Sequence, residues 1–246
     1  MGKLLLTLQY DGTRYHGWQV QPNGITVQET LQNALESVLG TRPGVTGCSR
    51  TDTGVHAHRF YCTVDKPPKL TPEALVRALN ATLPEDIAVL ACCEVDEEFH
   101  PRYSAEGKRY VYYIWNSNVR SPFHKGHSLH VKAPLQIEKM NEIARLFLGT
   151  HDFSAFCSAG SSVVDKHRTI RRSEVSRNGD MVTYTVEADG FLYNMVRILV
   201  GTLLDAHAGR LSKADIQQAL LTGDRNLAGA TAPAQGLFLD EVFYTL

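Results

Sequence analysis

Gly44-Val45-Thr46-Gly47-Cys48 and Phe60-Tyr61-Cys62-Thr63-Val64 are two apolar runs of strand length, separated by the polar knot Ser49-Arg50-Thr51-Asp52-Thr53-Gly54-Val55-His56-Ala57. Two strands met in succession, with no helix between them, read as an antiparallel pair. Upstream, Thr26 and Glu29 have capping-box spacing, Val27, Leu31, Ala34, Leu35 and Val38 recur at helical intervals, and Gly40 suits the position just past the end. The spacing predicts a helix from Thr26 to Gly40. Before it, Lys3 to Gln9 reads as a buried strand ending in the turn Tyr10-Asp11-Gly12. Downstream, Lys66-Pro67-Pro68 breaks the chain, Thr71-Pro72 opens a helix to about Leu83, and Ile87 to Val95 reads as a strand. The order strand, helix, strand, strand, helix, strand is a ferredoxin-like α+β arrangement.

A second half begins near Ser104, so the expected division is 1–104 and 105–246. Lys108 to Trp115 is an aromatic-rich strand with Tyr110, Tyr112 and Ile114 on one face. Gln136 to Leu148 reads as a helix ended by Gly149, Ile170 to Ser176 and Met181 to Ala188 as a hairpin around Asn178-Gly179, and Phe191 to His207 as a long apolar helix. Ser212 caps a further helix to about Leu221, and Leu237 to Thr245 is the final strand. Gln9-Tyr10-Asp11-Gly12 and Glu187-Ala188-Asp189-Gly190 stand at comparable strand ends, which suggests an internal repeat. The expected fold is α+β: two ferredoxin-like halves with antiparallel sheets joined around a central basic cleft, helices on the outer face.

The 246 residues are 43% hydrophobic, enough for a real core, and the formal net charge is -1. The total hides a segregation. Between Phe99 and Ala133 the single acid Glu106 faces Arg102, Lys108, Arg109, Arg120, Lys125 and Lys132, and from Lys166 to Arg177 five Lys or Arg residues meet only Glu174. Such a chain can be near neutral and still own a basic cleft. Five cysteines, odd in number and without C-x-x-C spacing, indicate neither a disulfide framework nor a zinc ribbon. The apolar run Leu4 to Leu8 is too short for a signal segment, and no run approaches the ~20 residues of a transmembrane helix, so a cytoplasmic protein without membrane contact is expected. No Walker A loop, dinucleotide fingerprint or nucleophile elbow is present.

Within the knot, Arg50 stands two residues before Asp52, hence on the same face of an extended segment, and His56 follows in the same loop. An isolated aspartate before Thr-Gly usually caps backbone N–H groups, but an arginine, a carboxylate and an imidazole on one turn favour a site. Arg197 is the one charge in the apolar centre of the Phe191–His207 helix, on the same face as Asn194 and Gly201. Burial there demands a partner. Asp52 would gain an ionised, oriented carboxylate from it, although pairing with Asp189 or an outlet to solvent serves Arg197 equally well. Tyr110, on its basic strand, could stack a nucleobase or pack in the core. His124, His127 and His130 repeat at three residues, but Pro122 and Gly126 oppose a helix there, so no metal site is expected.

Four ordered motifs, Tyr10 to Gln19 (YDGTRYHGWQ), Ser49 to Ala57 (SRTDTGVHA), Lys108 to Tyr112 (KRYVY) and Phe191 to Gly201 (FLYNMVRILVG), together resemble the TruA family of tRNA pseudouridine synthases. The family usually has glycine where Ser49 stands, a departure that touches backbone geometry and not the carboxylate. The resemblance implies a homodimer that isomerises uridines 38, 39 and 40 of the tRNA anticodon arm to pseudouridine, without cofactor or metal. It implies that Asp52 is the nucleophile, that Arg50 takes the place of the flipped base, that Tyr110 stacks on the target uracil and that Arg197 partners the aspartate. A uridine must leave the stack before its glycosidic bond can be reached. Arg14, Arg102, Arg109, Arg168, Arg171 and Arg172 are then expected phosphate contacts, unless nearby acids claim them. The competing expectations are a non-catalytic tRNA-binding protein and, last, a metal-dependent hydrolase centred on the histidines.

Overall fold

The computed structural model of the chain describes residues 2–66 and 70–245. Two compact units are present, Met1–Glu106 with Phe238–Leu246, and Gly107–Leu237. Both mix helices with mainly antiparallel strands, so the fold is α+β.

In the first unit, strand β1 (Lys3–Tyr10) and helix α1 (Val27–Leu39) are followed by β2 (Thr46–Gly47), β3 (His56–Asp65), α2 (Pro72–Thr82) and β4 (Ile87–Val95). β1 lies between β4 and β3, antiparallel to both, and β2 pairs with β3. That is the ferredoxin-like order expected from the sequence. Leu4, Leu6, Leu8 and Tyr10 share one face of β1 and are all buried. Thr26 accepts the Glu29 N–H and Gly40 takes the left-handed conformation that ends α1; Thr71 caps α2 through the Ala74 N–H. The Pro67-Pro68 part of the expected chain break lies outside the described residues.

The second unit runs β5 (Gly107–Asn116), β6 (Leu129–Val131), α3 (Ile137–Ala144), β7 (Gly149–Asp152), β8 (His167–Asn178), β9 (Met181–Ala188), α4 (Met195–His207) and α5 (Lys213–Thr222). β9 pairs antiparallel with β5 and β8, β7 borders β8, and β6 lies parallel to the end of β5. Tyr112 faces Tyr184 across the β5–β9 ladder, both fully buried. Tyr112 donates to the Pro233 carbonyl at 2.7 Å, and burial pushes its pKa up while Arg197 pulls it down. Among the described residues no helix is long and apolar enough to cross a membrane.

Three elements differ from the sequence reading. The helix expected from Phe191 starts at Met195, because Asn194 sits at φ 59°, a left-handed residue that cannot continue a helix backwards. The expected Gln136–Leu148 helix tightens into a 3-10 turn at Arg145–Phe147, and Gly149 opens β7. The last strand, β10 (Leu237–Phe243), belongs from Phe238 onward with the first unit. Phe238 and Leu239 pair in parallel with His56 and Ala57 of β3, Asp240 meets His58 at 2.9 Å, and Glu241 accepts from Arg59 at 3.0 Å and Tyr61 at 2.7 Å.

Candidate active-site residues

In the first unit, the turn from Cys48 to Val55 joins β2 to β3, and backbone hydrogen bonds hold it at Cys48, Thr51, Asp52, Gly54 and Val55. Cys48 N–H donates to the Tyr61 carbonyl at 2.8 Å, the Thr51 carbonyl accepts from Trp18 N–H at 3.1 Å, and Gly54 N–H donates to the Tyr15 carbonyl at 3.2 Å. Val55 N–H closes a turn onto the Asp52 carbonyl at 3.1 Å, with Gly54 at φ 76°. The buried Thr51 hydroxyl bonds the Tyr10 hydroxyl at 2.8 Å. This fixes the Asp52 backbone and leaves its side chain half-buried at the turn.

The Tyr10–Gln19 segment presses against that turn at two places where no β-carbon fits. At Gly12 one would lie 2.0 Å from the Val55 carbonyl oxygen, and at Gly17, whose φ is 84°, one would lie 2.4 Å from the Thr51 carbonyl oxygen. The two glycines of the YDGTRYHGWQ motif are therefore the mould of the Asp52 turn. Sequence alone assigns these glycines no role, and their spacing in a polar loop is the signal that points to one. Trp18 stacks on Phe60 at 4.0 Å, anchoring the segment to β3.

His56, taken from the sequence as a site candidate, is fully buried. Its Nδ1 accepts the Gly12 N–H at 3.0 Å and its ring stacks on Phe238 at 4.4 Å. Asp11 Oδ1 lies 3.0 Å from the same nitrogen. A nitrogen that accepts from Gly12 cannot also donate to Asp11, so the two contacts require different hydrogen placements on the ring. Either way the imidazole holds the mould.

The arginines divide sharply. Arg50 is exposed and makes no hydrogen bond or ion pair to any described residue. Arg14 is bound through Nε and Nη2 to Asp86 at 2.8 and 2.5 Å, and the same carboxylate accepts from Tyr15 at 2.7 Å. Arg102 is exposed, its guanidinium carbon 5.8 Å from the centre of the Tyr103 ring.

In the second unit, Tyr110 stands opposite Val186 in the β5–β9 ladder, 6% exposed, with the Phe191 ring edge-on at 5.0 Å. Arg109 pairs with Glu187 at 3.2 Å, and Arg172 meets the same carboxylate at 3.4 Å and Glu174 besides. Arg168 donates to the Asp165 carbonyl at 3.0 Å. Arg171 is exposed at the irregularity between Ile170 and Arg172 where β8 carries one residue more than β9, and no described residue pairs with it.

Arg197 is half-buried on α4. Its Nε donates to the Ala232 carbonyl at 2.7 Å and its Nη1 to Asn194 Oδ1 at 2.8 Å, while Asn194 in turn donates to Ser158 Oγ at 2.9 Å. The same helix face admits residues 229–232 so closely that a β-carbon at Gly201 would lie 1.6 Å from the Ala230 carbonyl oxygen. Arg197 and Gly201 thus both meet the chain at residues 230–232, and Asn194 holds the Arg197 guanidinium. Asp189, one of the acids considered for Arg197, accepts the Thr169 N–H at 3.1 Å. Two of the three regularly spaced histidines are committed locally: His124 lies on the Trp115 ring at 4.6 Å and His130 Nε2 bonds the Ser117 carbonyl at 2.8 Å.

The model of one family, described as tRNA pseudouridine synthase, matches residues 7–104 and 143–245. The chain belongs to the tRNA pseudouridine synthase family. Its relatives include proteins named tRNA pseudouridine synthase A from Thermoanaerobacter sp. (strain X514), 44% identical over 99% of this chain and 100% of the relative, and from Ruminiclostridium cellulolyticum, 45% identical over the same shares. Among solved structures, the archaeal box H/ACA sRNP Nop10-Cbf5 complex is similar over 80% of this chain and 44% of that one, with 13% identity and a TM-score of 0.39. A member of this synthase family is an isomerase that converts uridine to pseudouridine in tRNA.

Proposed function

We propose that the protein modifies uridines 38, 39 and 40 of the tRNA anticodon arm, as a cytoplasmic homodimer, with Asp52 as the nucleophile. The observation that carries this reading is the moulded turn: Gly12, Gly17 and His56 hold the Asp52 backbone while Asp52 stays half-buried and Arg50, two residues before it, is exposed. A nucleophile needs that combination of fixed direction and access.

Pseudouridine forms when the bond from ribose C1′ to N1 of uracil breaks, the base turns, C1′ bonds to C5, C5 loses a proton and N1 gains one, so that the composition is unchanged. Asp52 supplies the electron pair that carries the intermediate, Arg50 fills the space the flipped base vacates, and Tyr110 stacks on the uracil with its hydroxyl near the departing C5 proton. Arg197 acts as the cationic partner that keeps the aspartate ionised. No cofactor or metal enters this scheme.

Purified protein incubated with unmodified tRNA transcript, followed by mapping of pseudouridine, tests the reading. Product is expected at positions 38, 39 and 40. Asp52→Asn and Asp52→Ala should form none while binding tRNA within a few fold of the wild type. Measurable turnover by purified Asp52→Ala would end the assignment of the nucleophile.

A further inference from the structure

From Gly107 to Ile137 the sequence holds no acidic residue, yet it carries Lys108, Arg109, Arg120, Lys125 and Lys132. In the middle of this stretch the loop between β5 and β6 displays Phe123 at 90% exposure and Val119 at 71%. A phenylalanine so exposed loses the free energy its burial would give, and nothing in the packing of the unit requires it there.

The loop is ordered by its own contacts. Trp115 donates its indole N–H to the Val119 carbonyl at 2.9 Å and carries the His124 ring on its face. Ser128 donates to the His124 carbonyl at 3.0 Å, and the buried Asn116 ties the base of the loop to the Val131 and Ala133 carbonyls at 2.9 and 2.8 Å. Arg120 and Lys125 are exposed and make no hydrogen bond or ion pair to any described residue.

We propose that this loop is a second RNA-binding platform, in which Phe123 stacks an unpaired base of the bound tRNA while Arg120 and Lys125 hold the flanking phosphates. A preformed aromatic face among unpaired cations matches a nucleic-acid strand, whose bases each offer a π-face and whose backbone is uniformly negative. Its rigidity lowers the ordering cost of binding. A second copy of the chain fits less well, because a symmetric contact would bring two cationic loops face to face. The platform rests on tRNA being the substrate and adds to the proposed site a contact on side chains that have no role in the chemistry.

The experiment titrates unmodified tRNA transcript with wild type, Phe123→Ala, Phe123→Leu, Phe123→Tyr and the double variant Arg120→Glu/Lys125→Glu at one fixed salt concentration. Unfolding in urea checks that the variants are equally stable. Phe123→Ala should bind about 5- to 140-fold more weakly, the 1–3 kcal/mol of one base stack converted at 1.4 kcal/mol per decade. Phe123→Leu should resemble Ala and Phe123→Tyr the wild type, and the double charge reversal should weaken binding and flatten its salt dependence. Wild-type affinity in Phe123→Ala, or equal affinity in Phe123→Leu and wild type, overturns the stack. A lower sedimenting mass for Phe123→Ala without RNA also overturns it, since the patch would then join two copies. Failure of the wild type to bind tRNA would remove the functional reading as well, whereas the other outcomes leave that reading standing.

Discussion

Replacing Gly17 by alanine separates the mould of the Asp52 turn from ordinary backbone strain. At φ 84° an alanine costs about 1–2 kcal/mol for its left-handed conformation alone. Its β-carbon would also lie 2.4 Å from the Thr51 carbonyl oxygen and 3.2 Å from the Asp52 carbonyl carbon, and these are backbone atoms that cannot swing aside as a flexible side chain would. Overpacking of this kind adds about 1–3 kcal/mol. The control is Gly40→Ala, at φ 71° with nothing within 4 Å of the added carbon, which bears the conformational cost without the collision. Urea unfolding should therefore show about 1–2 kcal/mol lost by Gly40→Ala and about 2–5 kcal/mol by Gly17→Ala. Relief of the collision moves the Asp52 backbone by tenths of an ångström to an ångström, a displacement that costs on the order of 100-fold when it reaches a reacting group. Turnover measured at saturating tRNA, under conditions where both variants are folded, should fall by about that factor in Gly17→Ala and stay at the wild-type level in Gly40→Ala. Wild-type turnover in Gly17→Ala would refute the idea that these glycines aim the carboxylate.

Tyr110→Phe should bind tRNA like the wild type, and Tyr110→Ala should bind it more weakly by about the 1–3 kcal/mol of a base stack; equal affinities in the two variants would reject stacking. Arg50→Ala and Arg171→Ala should each flatten the slope of log affinity against log salt by about one unit, because both cations are unpaired. Arg14→Ala should change the slope less, since its charge is largely answered by Asp86 at 2.5 Å; equal slopes in all three variants would contradict the distinction. Burial, and then the carboxylate of Glu241, push Tyr61 up to about 12. The folded protein thus keeps a proton that the unfolded chain releases near pH 10, so this contribution is complete below pH 10 and is lost as pH rises to about 12. Alkaline unfolding should be shallower over that window in Tyr61→Phe, and an unchanged slope would dismiss the linkage.

The first unit was legible because its local signals agreed. Thr26, Gly40 and Thr71 cap the helices that periodicity announces, and Ile87–Val95 is a strand at the expected residues. The turn around Asp52 also stood out, as a polar interruption between two strands. What stayed hidden was set by partners far along the chain. Whether an arginine is available for RNA depends on acids that no local pattern reveals: Arg14 is claimed by Asp86, 72 residues away, and Arg109 by Glu187, 78 residues away. His56 stood out only as an imidazole on the same turn as Arg50 and Asp52, because sequence spacing cannot distinguish a side chain facing solvent from one turned under Gly12. The start of α4 was misplaced for a related reason. Phe191 and Leu192 continue its apolar pattern, and only the left-handed backbone of Asn194 interrupts it.

The return of β10 to β3 gives the protein a schedule as well as a shape. The outer edge of β3 is shared, β2 covering Thr63 and Cys62 and β10 covering His56 and Ala57. His58 and its partner Asp240 are 182 residues apart, so on a ribosome adding 5–20 residues per second the partner emerges roughly 9 to 36 seconds later. During that interval the whole of Gly107–Leu237 is made and free to fold, while the β3 edge beside the Asp52 turn stays open. An open edge is a place where strands of other chains can pair. The β3 edge that follows the Asp52 turn is completed last, after the unit inserted between the two parts of the first unit has been synthesised.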